Sequence, residues 1–572
     1  MKLHRALSPI LALVVSAVFV PCAFADDWKG EKVLPTKAPK DVRFGDWVNA
    51  VQVSYKFSGR LNLPVLIDRD GWLRIFDGEH EGWADKNDFV LVRDAANYFT
   101  TRIQANPNDT FSLHMRGESF LSANEPDKAI LDFTECIRLN PKYAPYYNSR
   151  GLAWKRKNDT SRALNDYDEA IKVDPKFAEA LINRSLARVE TKELDRALAD
   201  CEQVIQINPK DAEGYNLRGI VWSAKNEPAR AVADFDQAIQ INPKFAQAYF
   251  NRGLTRSYKG DLENALADFG EAVGLDPRHV AAYVNRAGIW FSKSDLNKAI
   301  ADYDEAVRLD PNDPAVLNNR GWVLFCKKDY DRAIADYDAA LRLDAKSPLA
   351  LNNRALARIY NKDFDGAIAD SNQVIQFDRN NALAFNYRGW AFFLMKDYEK
   401  AIADYDQASR LNPNDLLPQT NGALARLLMR QPDEAAKRYQ NLAERLKWKG
   451  DRASYAVIRG HLAARQAHNE PLAKQLLTDS AGKLDDAWPL PIVKYLRGNI
   501  DEAALLALAI DNDKQTEARC YLGMDQALKG DTDKALVHLR WVKEHGNVDF
   551  TEYVLASAEL TRLERGDKLG QR

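Results

Sequence analysis

The 572-residue chain is poor in cysteine, nearly neutral in charge and without long apolar runs beyond residue 25. None of its five cysteines forms a CxxC pair, so no disulfide framework is indicated, and we expect Cys136, Cys201, Cys326 and Cys520 to stay unpaired. The formal net charge of −2 gives no basic excess for nucleic acid. No later stretch reaches the ~18 apolar residues that span a bilayer, so we expect no transmembrane helix in the mature chain.

The N-terminal segment, residues 1–25, has the pattern of a secretory signal. Lys2 and Arg5 give a basic start, residues 7–20 are mostly apolar, and Ala23-Phe24-Ala25 fits a cleavage site between small residues. We therefore expect residues 1–25 to be a signal peptide and the protein to be exported to the periplasm or cell envelope. Lipid anchoring at Cys22 is the disfavoured alternative, because Pro21 stands where an anchoring motif has a small residue.

Signatures of catalysis are missing from the sequence. It has neither a GxxxxGKS/T phosphate-binding loop nor a GxSxG nucleophile elbow. His461 and His468 are seven positions apart, as are His538 and His545, which is not a metal-ligand spacing, and we expect both pairs to face solvent. The sequence thus predicts that the protein is not an enzyme and holds no metal or cofactor.

What the chain does contain is an internal repeat with a period of about 34 residues. An arginine that precedes Gly, Ala or Ser recurs nine times at this step, and an aspartate follows each arginine at a constant distance. The arginines are Arg116, Arg150, Arg184, Arg218, Arg252, Arg286, Arg320, Arg354 and Arg388. The aspartates are Asp132, Asp166, Asp200, Asp234, Asp268, Asp302, Asp336, Asp370 and Asp404. Such a period predicts stacked supersecondary units that share one core, because a single unit cannot bury its apolar face alone.

The pattern resembles the tetratricopeptide-repeat (TPR) family. Residues 144–177 carry the family's aromatic, small and proline columns in order, at Tyr147, Gly151, Trp154, Ala163, Tyr167 and Pro175. An arginine, here Arg150, replaces the leucine that the family has before the glycine, and it does so in every repeat. The resemblance implies a mainly α fold, a TPR α-solenoid in which helical hairpins form a right-handed superhelix.

The phase of the repeat divides the chain. We expect a capping helix at residues 94–109, nine regular TPR repeats at 110–415, and irregular TPR-like helical repeats at 416–566. A last helix from Thr551 to Glu564 is expected to cap the C-terminal end.

Residues 33–93 have a different sequence pattern, which does not follow the 34-residue repeat. Short β-prone runs, such as 72–76 and 89–92, alternate with Gly and Asp turns and predict a small all-β domain. The segments around Trp72 and Trp83 resemble bacterial SH3-like barrels, which implies a domain that binds cell-wall or protein peptides. The alternative is that both tryptophans only fill the barrel core.

The arginine and aspartate columns predict ion pairs. A half-buried guanidinium needs a partner, and a carboxylate offers a bidentate one. We therefore expect structural pairs such as Arg150–Asp166, Arg252–Asp268 and Arg320–Asp336. The alternative, a ladder of arginines that binds an acidic ligand, is disfavoured because nine aspartates match nine arginines.

Asparagines recur just before the arginines, at first-helix positions that by resemblance face the concave side of the superhelix. An amide donates and accepts, so a row of amides can bond to an extended peptide backbone. The predicted groove asparagines are Asn148, Asn183, Asn216, Asn251, Asn285, Asn318, Asn319, Asn352, Asn353 and Asn386. The predicted aromatic anchors are Trp322, Phe325, Tyr360 and Trp390. The alternatives are that the asparagines brace neighbouring helices and that the rings pack between repeats.

Together these features predict an exported protein–protein interaction scaffold that binds an extended peptide segment of a partner in the concave TPR groove. The alternative is a cell-wall-attached spacer in which the SH3-like domain binds peptidoglycan or wall peptides.

Overall fold

The computed structural model describes residues 32–35, 44–48, 51–54, 63–69, 72–76, 81–85, 89–548 and 550–566. The predicted signal peptide and Cys22 lie outside these residues. The chain divides into two units, Met1–Asp276 and Pro277–Arg572, called here the N-terminal and C-terminal units.

Seven short strands open the N-terminal unit. They are β1 (Lys32–Pro35), β2 (Phe44–Val48), β3 (Val51–Ser54), β4 (Leu63–Arg69), β5 (Trp72–Phe76), β6 (Glu81–Asp85) and β7 (Phe89–Leu91). All their pairings are antiparallel, and the strand order is β3-β2-β6-β5-β4-β1-β7. That this sheet is an SH3-like barrel stays a prediction.

Few side chains of the sheet are described. Leu73 and Ile75 are buried, and Trp83 is half-buried with the Arg74 guanidinium 5.8 Å from its ring centroid. The side chain of Trp72 lies outside the described residues. Leu34 of β1 packs against the first helix of the chain, so the sheet and the helices share apolar contacts.

The described residues contain 28 α-helices, and the predicted α-solenoid of helical hairpins is confirmed. A single helix, α1 (Val92–Ala105), comes first. The first helices of the next nine hairpins are α2 (Thr110–Ser122), α4 (Ala144–Arg156), α6 (Ala178–Glu190), α8 (Ala212–Ala224), α10 (Ala246–Tyr258), α12 (Val280–Ser292), α14 (Pro314–Cys326), α16 (Pro348–Tyr360) and α18 (Ala382–Leu394). The second helices are α3 (Pro126–Leu139), α5 (Thr160–Val173), α7 (Leu194–Ile207), α9 (Pro228–Ile241), α11 (Leu262–Leu275), α13 (Leu296–Leu309), α15 (Tyr330–Leu343), α17 (Phe364–Phe377) and α19 (Tyr398–Leu411).

The remaining helices are less regular in length. They are α20 (Leu416–Leu428), α21 (Pro432–Arg445), α22 (Asp451–Gln466), α23 (Glu470–Asp479), α24 (Leu490–Leu496), α25 (Glu502–Leu508), α26 (Asn512–Lys529), α27 (Thr532–His545) and α28 (Thr551–Glu564). The last of these has the bounds that the sequence predicts. Buried apolar residues of α20 to α28 form one large cluster, which includes the fully buried rings of Tyr439 and Tyr521.

Local chemistry fixes the ends of the helices in each hairpin. Aspartates such as Asp159 and Asp363 cap second helices by accepting a hydrogen bond from the backbone N–H three positions on, at 3.0 Å. The residue that joins the two helices has a left-handed conformation, as at Asn158 (φ 60°) and Lys328 (φ 66°). Each hairpin therefore turns at a defined residue.

Small residues let the two helices of a hairpin approach each other. A Cβ atom added to Gly321 of α14 would lie 2.8 Å from the Tyr337 ring of α15. The Tyr167 ring lies in the same way against Gly151, where an added Cβ would be 2.5 Å from the ring. In these two hairpins the ring of the second helix therefore occupies the space that a Cβ on the first-helix glycine would need.

The histidines of the C-terminal helices correct one expectation. His461 and His538 are buried, not solvated, because the irregular helices pack over them. His461 Nδ1 lies 2.9 Å from the Ala473 carbonyl oxygen, and His538 Nε2 lies 3.1 Å from Glu502 Oε1. Burial lowers the pKa of both imidazoles.

Candidate functional site

The nine arginines and nine aspartates meet within their hairpins. In every hairpin an arginine Nη2 lies 2.5 to 2.7 Å from the aspartate Oδ1. Arg320 also donates through Nε to Asp336 Oδ2 at 2.8 Å, which makes the pair bidentate. This hydrogen bonding raises the pKa of Arg320 above its usual value. Arg150 and Asp166 pair with the same geometry, at 2.9 and 2.7 Å.

The third nitrogen of several of these arginines reaches the preceding hairpin. Arg320 Nη1 donates to Asp304 at 2.8 Å, and Arg252 Nη1 donates to Asp236 at 2.5 Å. The guanidinium therefore joins three helices. Because each of the nine arginines is paired with an aspartate of its own hairpin, its charge is compensated within the repeat.

Half of the predicted groove asparagines are buried. Asn148, Asn216, Asn318, Asn352 and Asn386 are each at most 7% exposed, so they offer little surface to a peptide. The other five are partly or fully exposed: Asn183, Asn251, Asn285, Asn319 and Asn353. Peptide contact by the asparagines stays a prediction, and the geometry restricts it to this second group.

Three of the buried asparagines, Asn148, Asn216 and Asn318, accept hydrogen bonds from the following repeat. The pairs are Asn183 Nδ2 to Asn148 Oδ1, Asn251 to Asn216 and Asn353 to Asn318, at 2.9, 2.9 and 3.0 Å. These bonds brace successive first helices against each other. Asn319 has no such pairing among the described residues, and it is exposed.

The four predicted aromatic anchors come together in the C-terminal unit. Trp322 stacks on Phe325 with ring centroids 5.3 Å apart, Phe325 meets Tyr360 edge-on at 5.3 Å, and Tyr360 meets Trp390 at 5.4 Å. Tyr330 adds a fifth ring, stacked on Tyr360 at 5.6 Å. We call these five residues the aromatic cluster. It spans three hairpins, and it reaches solvent most openly at Tyr360, which is 47% exposed.

Two further rows of exposed side chains follow the repeat in the C-terminal unit. Leu349, Leu383 and Leu417 occupy the second residue of α16, α18 and α20, and they are 60%, 43% and 45% exposed. We call them the leucine row. The basic row consists of Lys328, Lys362 and Lys396, each at the left-handed turn after a first helix. The sequence interpretation missed both rows and Tyr330, although each row keeps the step of the repeat.

Metal ligands, cysteines and apolar helices were each sought among the described residues. No group of His, Cys, Asp and Glu that could hold a metal ion occurs among the described residues. Cys136, Cys201 and Cys520 are free and buried, and Cys326, at the end of α14, is free and exposed. Within the described ranges no helix has the length and apolar character needed to cross a bilayer.

Stacked hairpins of this kind define a helical repeat protein with an exposed apolar surface. Two family models described as tetratricopeptide repeat match the chain, one at residues 150–212, 251–314, 295–348 and 318–382 and the other at 382–415. The chain therefore contains tetratricopeptide repeats. This fold supports a protein–protein interaction scaffold and implies protein or peptide partners.

Solved structures are similar to parts of the chain. A tetratricopeptide repeat protein from Parabacteroides merdae is 20% identical, with 43% of this chain and 98% of the other covered and a TM-score of 0.35. PilF of Pseudomonas aeruginosa is 18% identical, with 36% and 94% covered and a TM-score of 0.33. A TPR protein of Thermus thermophilus is 20% identical, with 32% and 99% covered and a TM-score of 0.30. No curated protein matches the chain.

Proposed function

We propose that the protein is an exported scaffold that holds an extended segment of a partner protein against the first helices of its C-terminal unit. The observation that carries the proposal is the aromatic cluster, in which rings from three hairpins meet at the surface around Tyr360. Large rings lose little conformational freedom on binding and dominate the energy of protein interfaces.

Polar groups beside the rings suit a peptide backbone. Asn319 lies one helical turn before Trp322, on the same helix, and its exposed amide can both donate and accept. Contacts of this type bind a main chain without reading its sequence, whereas the rings select for apolar side chains. An extended segment uses both kinds of contact at once.

Export is the second part of the proposal. It rests on the basic start, the apolar run and the cleavage site within residues 1–25. Expression in a host with a periplasm, followed by fractionation and mass measurement of the N-terminus, tests it. We expect a periplasmic product that begins at Asp26; a cytoplasmic product that keeps residues 1–25 would refute this part alone.

Photo-cross-linking tests the interaction surface. A photoreactive amino acid at position 319 of the full chain, on α14, is expected to capture one defined protein from living cells. The matched control is position 335, which is exposed on α15 of the same hairpin. Capture of the same partner at both positions, or at neither, would contradict the proposed surface.

A further inference from the structure

One face of each first helix in the C-terminal unit carries no charge. The second, fifth, ninth and thirteenth residues of a 13-residue helix lie on the same side, because successive residues are about 100° apart. In the C-terminal unit these residues are Ala281, Val284, Gly288 and Ser292 of α12, Ala315, Asn318, Trp322 and Cys326 of α14, Leu349, Asn352, Leu356 and Tyr360 of α16, Leu383, Asn386, Trp390 and Leu394 of α18, and Leu417, Thr420, Leu424 and Leu428 of α20. None of them is Asp, Glu, Lys or Arg, and we call this set the uncharged face.

The second position of these helices does not need an apolar residue for folding. Leu349 of α16 and Leu383 of α18 are exposed there. The equivalent residues of α6 and α8 in the N-terminal unit are Glu179 and Glu213, and both are exposed as well. A hairpin of this kind therefore tolerates a charge at the second position.

The thirteenth position shows the same contrast. Tyr360 of α16 and Leu394 of α18 are exposed at this position. The equivalent residues of α4 and α6 are Arg156 and Glu190, one of each sign, and both are exposed. Since charges fit here too, the packing of the hairpins does not explain why the C-terminal unit has apolar residues on its surface.

The uncharged face continues from one helix to the next. The rings of Tyr360 in α16 and Trp390 in α18 are 5.4 Å apart, and Phe325 of α14, next to Cys326, has its ring 5.3 Å from that of Tyr360. With packed helices about 10 Å apart, the four helices from α14 to α20 extend over roughly 30 Å. An extended chain crosses this distance in about nine residues.

The charges beside the uncharged face are balanced. Arg320, Arg354 and Arg388 belong to the same helices, and each pairs with an aspartate of its own hairpin. The turns that follow the first helices carry both signs, as at Lys362 and Asp365, which are both exposed. The surroundings of the face therefore favour neither a cation nor an anion in a bound segment.

We infer that the partner segment held by the C-terminal unit is apolar and uncharged over about nine residues, and that a charge of either sign within it opposes binding. Contact removes water from the segment. Because the uncharged face has no ion to take the place of that water, a carboxylate or an ammonium group loses hydration there without gaining a partner. The inference rests on the proposed function and adds the chemistry of the partner to it.

Fluorescence anisotropy with dye-labelled peptides tests the inference on the full chain. The first peptide has about nine residues, with Leu, Phe and Val separated by Ser and Asn. Two further peptides have Asp or Lys in place of the two central Ser residues. We expect the uncharged peptide to bind at least about tenfold more tightly than either charged peptide. Its affinity should change less than about twofold between about 50 and about 500 mM salt, because no ion pair holds it.

Variants assign the binding to the uncharged face. Leu383→Lys and Leu383→Glu each place a charge on it, and both should weaken binding of the uncharged peptide about tenfold. Leu343→Lys is the matched control: Leu343 ends α15, a second helix, and is 44% exposed against 43% for Leu383, so this variant should bind like the wild type. Tyr360→Ala should also weaken binding about tenfold, whereas Tyr258→Ala, at the equivalent position of α10, should not. Circular dichroism verifies that each variant is folded.

Two other occupants of the uncharged face are tested with the same variants. Analytical ultracentrifugation of the full chain would reveal a dimer, and a dimer that Leu383→Lys dissociates would identify a second copy as the occupant. Flotation with phosphatidylcholine vesicles would reveal a lipid surface if Leu383→Lys abolishes the binding. Either result would overturn the inference.

The remaining outcomes separate the inference from the function on which it rests. Equal binding of the three peptides, tighter binding of a charged peptide, no binding of any peptide, or an unchanged affinity in both Leu383 variants would overturn the inference. Absence of a cross-linked partner at position 319 would instead overturn the proposed function. A partner that cross-links at position 319 through a charged segment would leave the function standing and reject the uncharged chemistry.

Discussion

At the scale of single residues, each repeat replaces an apolar family position by an arginine and supplies its partner. The Arg286 side chain is 22% exposed and the Asp302 side chain 9%, and the two are joined at 2.6 and 2.8 Å. Removal of one partner strands a largely buried charge, whereas removal of both does not. The pair therefore need not add much net stability, although each partner depends on the other.

We expect Arg286→Leu to lower the free energy of unfolding by about 2–3 kcal/mol, and the double variant Arg286→Leu/Asp302→Leu to lower it by less. Chemical denaturation of the full chain, followed by circular dichroism, measures both. The pair Arg252–Asp268 should behave differently, because Asp268 also accepts from Arg256 at 2.7 Å and so keeps a partner when Arg252 is replaced. If the single and double variants lose equal free energy of unfolding, then leaving Asp302 unpaired carries no cost, and the argument from a buried unpaired charge is wrong.

At the scale of elements, the contact between the two helices of a hairpin depends on a match of sizes. Gly321 faces the ring of Tyr337, which is fully buried, and Ser185 faces the smaller Cys201 with Oγ and Sγ 3.2 Å apart. The first-helix residue is thus small where the second-helix residue is large. This compensation can be predicted from the sequence, because the first-helix and second-helix positions are separated by the same number of residues in every repeat.

We expect Gly321→Ala to destabilise the protein by about 1–3 kcal/mol, because the new methyl group meets the Tyr337 ring. The same substitution in the background Tyr337→Ala should be neutral or stabilising, since the ring is gone. Gly288→Ala in α12 is the control: a Cβ there meets nothing within 4 Å, so the better helix propensity of Ala should stabilise by up to ~1 kcal/mol. Thermal unfolding of the four variants gives the coupling, and a loss at 321 that persists without the ring would contradict the size match.

The sequence predicts the hairpins well and their surfaces less well, for a physical reason. Columns of arginine, aspartate and proline recur at one step, so the period alone indicates the stacked hairpins. The bond from Asn353 to Asn318 spans 35 residues and joins different columns of adjacent repeats, so counting one column at a time does not reveal it. The sequence does not single out Tyr330, because this residue begins a second helix. Only the packing of adjacent hairpins brings its ring against that of Tyr360.

The helices after Pro413 show where periodicity stops being informative. From their spacing, which fits no metal site, the sequence predicts His461 and His538 on the surface. Their burial depends on how irregular helices pack, which the decayed repeat does not encode. The prediction for the N-terminal β region has a different limit. Its short motifs indicate strands, and seven strands are present among the described residues. The motifs are too short to define which type of barrel, if any, the strands form.

At the scale of the whole molecule, the irregular helices of the C-terminal unit bury a polar network. Arg459 donates to Tyr521 at 2.9 Å and to Glu552 at 2.6 Å. Beside this group, Glu517 of α26 accepts from the Tyr455 hydroxyl at 2.7 Å and from the Trp488 indole N–H at 2.6 Å. Desolvation by burial raises the pKa of Glu517 to about 7, and the charge of Glu552 adds to the effect, while the two hydrogen bonds and Arg459 oppose it.

This shift makes stability depend on pH in a defined direction. A carboxyl with a raised pKa binds its proton more tightly in the folded than in the unfolded chain. Its contribution is therefore complete below the unfolded value, near 4.5, and is lost as pH rises through about 7. We expect the variant Glu517→Gln, which is neutral at every pH, to gain about 2 kcal/mol of local stability relative to the wild type between pH 5 and pH 8.

Hydrogen exchange of the amides in α22 and α26 measures that local stability across the pH range, once intrinsic exchange rates are corrected. The exposed Glu544, on α27, is the control, and Glu544→Gln should leave the pH dependence of the wild type unchanged. If Glu517→Gln and the wild type keep a constant difference from pH 5 to pH 8, then Glu517 does not titrate in this range. The buried network would then be held by its hydrogen bonds alone, without a proton that the solution can remove.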